Sequence, residues 1–286
     1  MSTLDDAATV FATVRGRLFG IAYRMLGSAL EAEDIVQETW LRWQTTDRAV
    51  VRDPAAFLAT TTTRLAINSA TSARARRETY VGPWLPEPVD TSADPALGAE
   101  RGAALEMAVL VLMEKLSPTE RAAYVLREAF DYPYSRIAEV VEVSEAAARQ
   151  LVSRARKHLA DGRRRPVGGA ERRRLLDAFL VAARAGDLAE LERLLSADAV
   201  SYSDGGGVVR ASRIPVVGGA TIARYVRAFA DRFWVGVSLS AASINGEDAV
   251  VLRRAGQVIA VVTVAASDDG IDQVLWLMNP EKLAAA

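Results

Sequence analysis

The sequence predicts a multi-domain chain: two all-α units, the second ending in a helix-turn-helix, then an α+β domain with a curved antiparallel sheet over helices. Three observations predict it. Apolar residues recur at helical spacing as far as Leu159. A proline-rich stretch, Tyr80–Pro88, interrupts them. Beyond Leu195 the pattern changes to short Val-, Ile- and Ser-rich runs divided by Asn245-Gly246, Ala255-Gly256 and Asp268-Asp269-Gly270. The length, 286 residues, fits more than one domain at roughly 150 residues each.

The first helix carries Phe11, Val14, Leu18, Ile21, Ala22, Met25 and Leu26 on its apolar face and stops at Gly27-Ser28. Ser28 and Glu31 have the spacing of a capping box. The helix they open buries Ala32, Ile35, Val36, Thr39, Trp40 and Trp43, and shows Glu31, Asp34, Gln37, Glu38 and Leu41 on its other face. Three acids beside an outward leucine suit a partner surface; a plain solvated face is the competing reading. Asp53-Pro54 opens a third helix, in which the run Thr60–Thr63 weakens helix propensity. It ends in Arg64, Asn68, Arg74, Arg76 and Arg77 among small residues, a composition suited to nucleic-acid contact or to a charged helix end.

Residues 78–100 form a linker. The three prolines of Tyr80–Pro88 favour extended chain, yet Tyr80, Trp84 and Leu85 are costly to leave in water, so part of it should dock on a surface. Ser117-Pro118-Thr119-Glu120 is a sharp helix start. Ile137, Ala138 and Val141 then line a first helix, Val143 packs a turn, and Ser144 caps a second helix. That helix buries Ala148, Leu151, Val152, Ala155 and Leu159 and presents Arg149, Gln150, Ser153, Arg156 and Lys157. A helix split this way fits a major groove, with Gln and Arg at base edges and Lys and Arg at phosphates. Gly162–Gly169 reads as a hinge. Two helices follow, over 175–183 and 188–195, then strands Val235–Ile244, Ala249–Arg253, Val258–Ala265 and Ile271–Met278. There are no internal repeats.

Net charge is only −1, but it is segregated. Arg149–Arg174 holds ten Arg and Lys against Asp161 and Glu171, about eight excess positive charges and a footprint for phosphates. The chain has no cysteine and one histidine, His158, which excludes disulfides, thiolate or histidine zinc sites and Cys/His catalysis. No cofactor is implied. No apolar run is long enough to span a membrane and the start lacks a signal-peptide core, so a cytoplasmic protein is expected.

Ala32–Arg42, Phe57-Leu58 with Arg64–Asn68, Leu116–Arg121, and Tyr134, Ile137-Ala138, Ser144 and Ser153–Arg156, in that order, resemble a bacterial RNA polymerase sigma factor of the extracytoplasmic-function type over residues 8–160. The tail is similar to a SnoaL/NTF2-like cone. With the Tyr80–Pro88 linker, Asp204–Gly207 and Asn279–Leu283, the whole chain resembles the SigJ-like subfamily.

The resemblance implies the domains: residues 1–78 a sigma-2 domain, 79–104 a linker, 105–162 a sigma-4 domain and 170–286 the SnoaL-like domain. It implies core RNA polymerase as partner, through its β′ clamp and β flap, with Asp34, Gln37, Glu38 and Leu41 on the clamp. It implies promoter DNA, with Arg52, Arg64, Asn68, Arg74, Arg76 and Arg77 at the −10 element and Arg149, Gln150, Ser153, Arg154 and Lys157 at the −35 element. It implies a regulatory contact through Tyr80, Trp84, Asp204, Gly205, Gly206, Gly207, Asn279, Pro280 and Lys282, in a non-enzyme. With both helical units committed to polymerase and DNA, a monomer is expected when free. The family turn often has Gly where this chain has Glu142 and Thr where it has Ala147, which leaves the −35 preference open.

Asp204 is the one obvious acid/base candidate of the tail, but the tail has no histidine to partner it, and a contact surface is preferred. A small ligand in the cavity stays open. Two other classes stay open beside the sigma factor: a stand-alone DNA-binding regulator with a ligand-sensing tail, and a cyclase-like enzyme fused to a DNA-binding module.

Overall fold

The computed structural model describes residues 4–91, 105–160 and 164–284; the linker's far end and the Gly162-Arg163 start of the hinge lie outside the described residues. The chain forms two compact units. Among the described residues the first holds 4–78, 105 and 112–160, and the second holds 79–91, 106–111 and 164–284.

In the first unit, α1 (Leu4–Leu26) buries Leu18, Ile21, Ala22, Met25 and Leu26. Gly27 ends it at φ +65°, a left-handed conformation open to glycine without a Cβ clash. Ser28 caps α2 (Ala29–Thr45) by accepting from the Glu31 N–H at 3.1 Å. The expected capping box is only half made, because the Glu31 carboxylate pairs with Arg76, a charged donor that outcompetes the backbone. After a 3-10 turn (Arg48–Val50), Asp53 caps α3 (Pro54–Glu78). The threonine run stays helical, with its hydroxyls satisfied inside the helix or the core. Thr60, Thr61 and Thr63 return their hydroxyls to the carbonyls of Ala56, Phe57 and Ala59 at 2.8–2.9 Å, and Thr62 meets Thr39 in the core at 3.1 Å.

Helices α4 (Met107–Met113), α5 (Pro118–Glu128), α6 (Tyr134–Val141) and α7 (Glu145–Ala160) follow. The Ser117–Glu120 capping box is complete. In α6 it is Val140, not Val141, that joins Ile137 and Ala138 in full burial. The α6–α7 turn passes through Glu142 in the left-handed conformation, φ 57° and ψ 49°. Glu114 ties α3 to α5: Arg77 and Arg121 both pair with it, Arg77 also donates to the Leu26 carbonyl, and Arg121 donates to the Arg24 carbonyl at 2.8 Å. Burial pushes the Glu114 carboxyl up, but the Arg121 and Arg77 charges outweigh it and hold the group below the usual carboxylate range.

The second unit orders α8 (Gly169–Ala185), α9 (Leu188–Leu194), β1 (Leu195–Asp204), β2 (Val216–Val217), α10 (Gly219–Phe233), β3 (Val237–Ile244), β4 (Glu247–Arg254), β5 (Gln257–Ser267), β6 (Gly270–Leu277) and α11 (Pro280–Leu283). The strands form one sheet in the order β2-β1-β6-β5-β4-β3, antiparallel except for the parallel β1–β6 pair. Strand alternation gives the sheet two buried faces. Trp276 and Val274 point to one, against Phe179, Leu180 and Ile222 of the helices. Leu275 and Leu277 point to the other, where Leu85 of the linker and Met107 and Ala108 of α4 cover them. Each such large apolar side chain contributes about 1.5–3 kcal/mol on full burial.

The linker is therefore docked chain, and Asn245 and Ser243 bond its Val89 and Thr91 as well. The expected hinge is likewise fastened over its described part. Arg164 meets Asp198, Asp272 and Asp269 at 2.7, 2.9 and 3.4 Å, and the Val167 N–H donates to the Ala266 carbonyl. Neither β1 nor α10 was anticipated.

Candidate nucleic-acid interface

Helix α7 starts at Ser144, whose hydroxyl accepts from the Ala147 N–H at 3.2 Å. Its stripe Ala148, Leu151, Val152, Ala155 and Leu159 is buried, which turns Arg149, Gln150, Ser153, Arg154, Arg156 and Lys157 to solvent. These residues differ in how free they are. Among the described residues Gln150, Ser153 and Lys157 have no side-chain partner. Arg149 pairs with Glu145 and lies 4.5 Å over the Tyr134 ring, a cation–π contact that stiffens it. Arg154 meets Glu120 at 3.0 Å, and Arg156 meets Glu128 at 2.6 Å, a bond that raises the Arg156 pKa.

The acidic face of α2 is equally exposed. Asp34 and Gln37 reach solvent without a partner among the described residues, Glu38 pairs with Arg42 at 2.9 Å, and Leu41 is 52% exposed. Leu30, which the sequence reading passed over, shares this stripe and is 71% exposed. Its signal was present: residues 30, 34, 37, 38 and 41 recur at helical spacing.

The basic residues around α3 divide in two. Arg52, in the segment before α3, and Asn68 and Arg74, on α3, are exposed and unpartnered among the described residues. The others are engaged. Arg64 donates to the Val140 and Glu139 carbonyls at 3.1 and 2.9 Å and meets Glu142 at 3.1 Å. Arg76 is paired with Glu31, and Arg77 is locked onto Glu114 with its side chain 15% exposed. Arg77 thus acts in the packing of this unit as found here, with burial lowering its pKa against the pull of Glu114. Arg17, Arg52, Arg64 and Arg136 line one open groove with Phe57 and Tyr132.

In the second unit the motif residues meet at one point. Asp204, at the end of β1, is fully buried. Its Oδ1 accepts from the Tyr80 hydroxyl at 2.6 Å and the Gly206 N–H at 3.1 Å, and its Oδ2 accepts from the Leu85 N–H at 2.9 Å and Lys282 Nζ at 2.7 Å. Lys282 also donates to the Leu85 carbonyl and lies 4.4 and 4.9 Å from the Trp84 and Tyr80 rings. Asn279 donates to the Tyr80 oxygen at 2.9 Å and caps α11. Pro280, the first residue of α11, is exposed and sets the turn that aims Lys282 inward.

Gly206 sits at φ +62°, where a Cβ would lie 2.6 Å from Asn279, and a Cβ on Gly207 would press on Val81 of the linker. A Cβ on Gly205 would lie 2.5 Å from the Val209 carbonyl. Burial, then the Asp204 hydrogen bond, drive the Tyr80 phenol far above its usual pKa. This is the geometry of a clamp. A general acid or base needs an open approach, and four donors already fill the Asp204 oxygens.

The chain matches two protein-family models, Sigma-70 region 2 over residues 10–76 and Sigma-70 region 4 over 106–159. It is 35% identical over 293 residues to the extracytoplasmic-function RNA polymerase sigma factor SigJ of Mycobacterium tuberculosis, across 96% of this chain and 93% of that one. It is 32% identical to the probable sigma factor SigI of the same species over 79% of each. The crystal structure of Mycobacterium tuberculosis SigJ matches it with a TM-score of 0.77 and 31% identity, over 98% of this chain and 99% of that one.

Proposed function

Because this chain belongs to the extracytoplasmic-function RNA polymerase sigma factors of the SigJ type, binding core polymerase and directing transcription initiation, we propose how its surfaces divide that work. Residues 1–78 act as sigma-2, 79–104 as linker, 105–162 as sigma-4 and 170–286 as the SnoaL-like regulatory domain. The α2 stripe Asp34, Gln37, Glu38 and Leu41, with Leu30 added, docks on the β′ clamp, and the sigma-4 helices meet the β flap. The observation that carries this is the stripe itself: acids and two exposed leucines on one helical face, in a unit whose opposite face is packed. Large exposed apolar side chains rimmed by charge mark protein interfaces.

Helix α7 enters the major groove at the −35 element. Gln150 and Ser153 read base edges, Lys157 holds phosphate, and Arg149 and Arg154 join after leaving Glu145 and Glu120. Arg52, Asn68 and Arg74 serve the −10 element, where melting needs bases trapped out of the stack. Arg64 and Arg76 reach DNA only by surrendering the partners they hold here, and Arg77 by breaking the Glu114 tie. The second unit regulates through the linker it clamps at Asp204. On this reading the free protein is a cytoplasmic monomer.

The test combines the full-length chain with its cognate core polymerase and genomic DNA fragments. Asp34→Arg with Leu41→Arg should abolish co-elution with core and all promoter-specific transcripts, while leaving the circular-dichroism spectrum unchanged. Core binding that survives both substitutions would overturn the assignment of α2. Tight binding to duplex without polymerase would favour the stand-alone regulator.

A further inference from the structure

We infer that the second unit holds a binding site for a small aromatic carboxylate, in a cavity distinct from the Asp204 clamp. The cavity opens between α10, the ends of β1 and β6, and the segment after Gly207. Its cavity volume is about 80 Å³. Five aromatic side chains wall it: Tyr225, Phe229 and Phe233 of α10, with Trp234 and Trp276.

These rings pack on one another, edge to face or tilted, and so stand fixed around the opening. Phe233 stands edge-on to both Trp234 and Trp276, at 90° and 89°, with centroids 5.0 and 6.0 Å apart. Tyr225 and Phe229 are tilted by 58°. Apart from the indoles and the phenol, the polar side chains at this wall are few and specific. Ser203 is buried and Arg210 sits at the exposed edge, and among the described residues neither side chain has a hydrogen-bonding or ion-pairing partner. The Arg210 charge acts on the Tyr225 phenol, lowering a pKa that burial raises, so the cation and the aromatic wall share one space.

An apolar cavity with one or two convergent polar groups is the usual form of a small-ligand site. Its walls select a flat ring, which gains from edge-to-face packing. Its one cation selects an anion, and a guanidinium takes a carboxylate in a bidentate pair. The Ser203 hydroxyl offers one further hydrogen bond. The tightness of the enclosed part, with Trp234 and Trp276 each only 7% exposed, favours a single ring. A neutral ring would leave Arg210 unanswered, and an aliphatic acid would forgo ring packing against the aromatic wall.

The site lies wholly in the second unit, so its test is independent of polymerase and promoter. Isothermal titration calorimetry on the full-length chain uses three probes: benzoate, benzyl alcohol and hexanoate. Benzoate should bind saturably and more tightly than both others. Arg210→Ala should weaken benzoate by about 10-fold or more, the worth of a charge-assisted hydrogen bond, and leave benzyl alcohol unchanged. Arg210 is exposed and its side chain holds no hydrogen bond or ion pair among the described residues, so this variant should keep the parent melting temperature. Phe229→Ala, at a half-exposed wall position, should weaken both ring compounds. No saturable benzoate binding, equal affinity for benzoate and benzyl alcohol, or benzoate binding indifferent to Arg210→Ala would each overturn the inference.

Discussion

Glu142 is a residue in a glycine's place. Its φ of 57° puts Cβ close to the following carbonyl, a strain of about 1–2 kcal/mol, set against about 0.5–1 kcal/mol for the extra unfolded freedom of glycine. Its ion pair with Arg64 is exposed and adds little. Glu142→Gly should therefore hold or slightly raise the thermal midpoint of the first unit; a drop of several degrees would show that the Glu142 side chain matters more than its backbone. The opposite holds at Gly206, where a methyl meets both a left-handed φ and the Asn279 side chain. Gly206→Ala should destabilise the second unit by about 2 kcal/mol or more in chemical denaturation. Asp204→Ala strands the buried Lys282 ammonium and should cost about 3–5 kcal/mol, while Asp204→Ala with Lys282→Met should regain much of it, measured by the same denaturation series.

At the scale of elements, the tie from α3 through Glu114 to α5 has a pH signature. The folded carboxyl titrates below its ordinary 4.5, so its contribution is complete above that value and fades as pH falls through the lowered one. Glu114→Gln should cost about 2–3 kcal/mol at neutral pH, and the gap to the parent should close as pH drops below 4.5. A gap constant with pH would mean the arginines do not act through charge. The same tie shows what a sequence can and cannot disclose. Local grammar was readable: the Ser117 box, the Ser144 cap, the stripe of α7 and the four later strands follow from spacing within a few residues. Pairings across distance were not. Nothing near Glu31 announces Arg76, and nothing near Arg77 announces Glu114.

Strand β1 escaped notice because it continues from α9 without a break and pairs with β6, some seventy residues on. Helix α10 was hidden by Gly218-Gly219 at its start, although Ile222, Ala223, Val226 and Ala230 keep helical spacing. Of the candidate surfaces, the exposed faces of α2 and α7 were legible because burial on one side of a helix implies exposure on the other. The engagement of Arg64 and Arg77 was not legible, since it depends on which helices pack together.

For the whole molecule, the two units are threaded through one another in sequence. The segments 79–91 and 106–111 precede or enter the sigma-4 region yet fold with the tail. A chain truncated after Ala160 keeps Leu85, Met107 and Ala108 but loses the sheet that buries them. It should bind a hydrophobic dye such as ANS strongly and show altered transcription; a dye-silent truncate with parent activity would show the linker finds its own cover. The motifs Tyr80–Pro88, Asp204–Gly207 and Asn279–Leu283 lie far apart along the chain and close around one carboxylate.

The docked linker sets where this protein can be cut and joined. A graft that moved residues 164 onward to a different sigma factor would carry a socket without its plug: Asp204 and Lys282 would face the strip of a foreign chain. Only a transplant that takes the Tyr80–Thr91 strip along, despite its distance in the gene, would deliver a working tail.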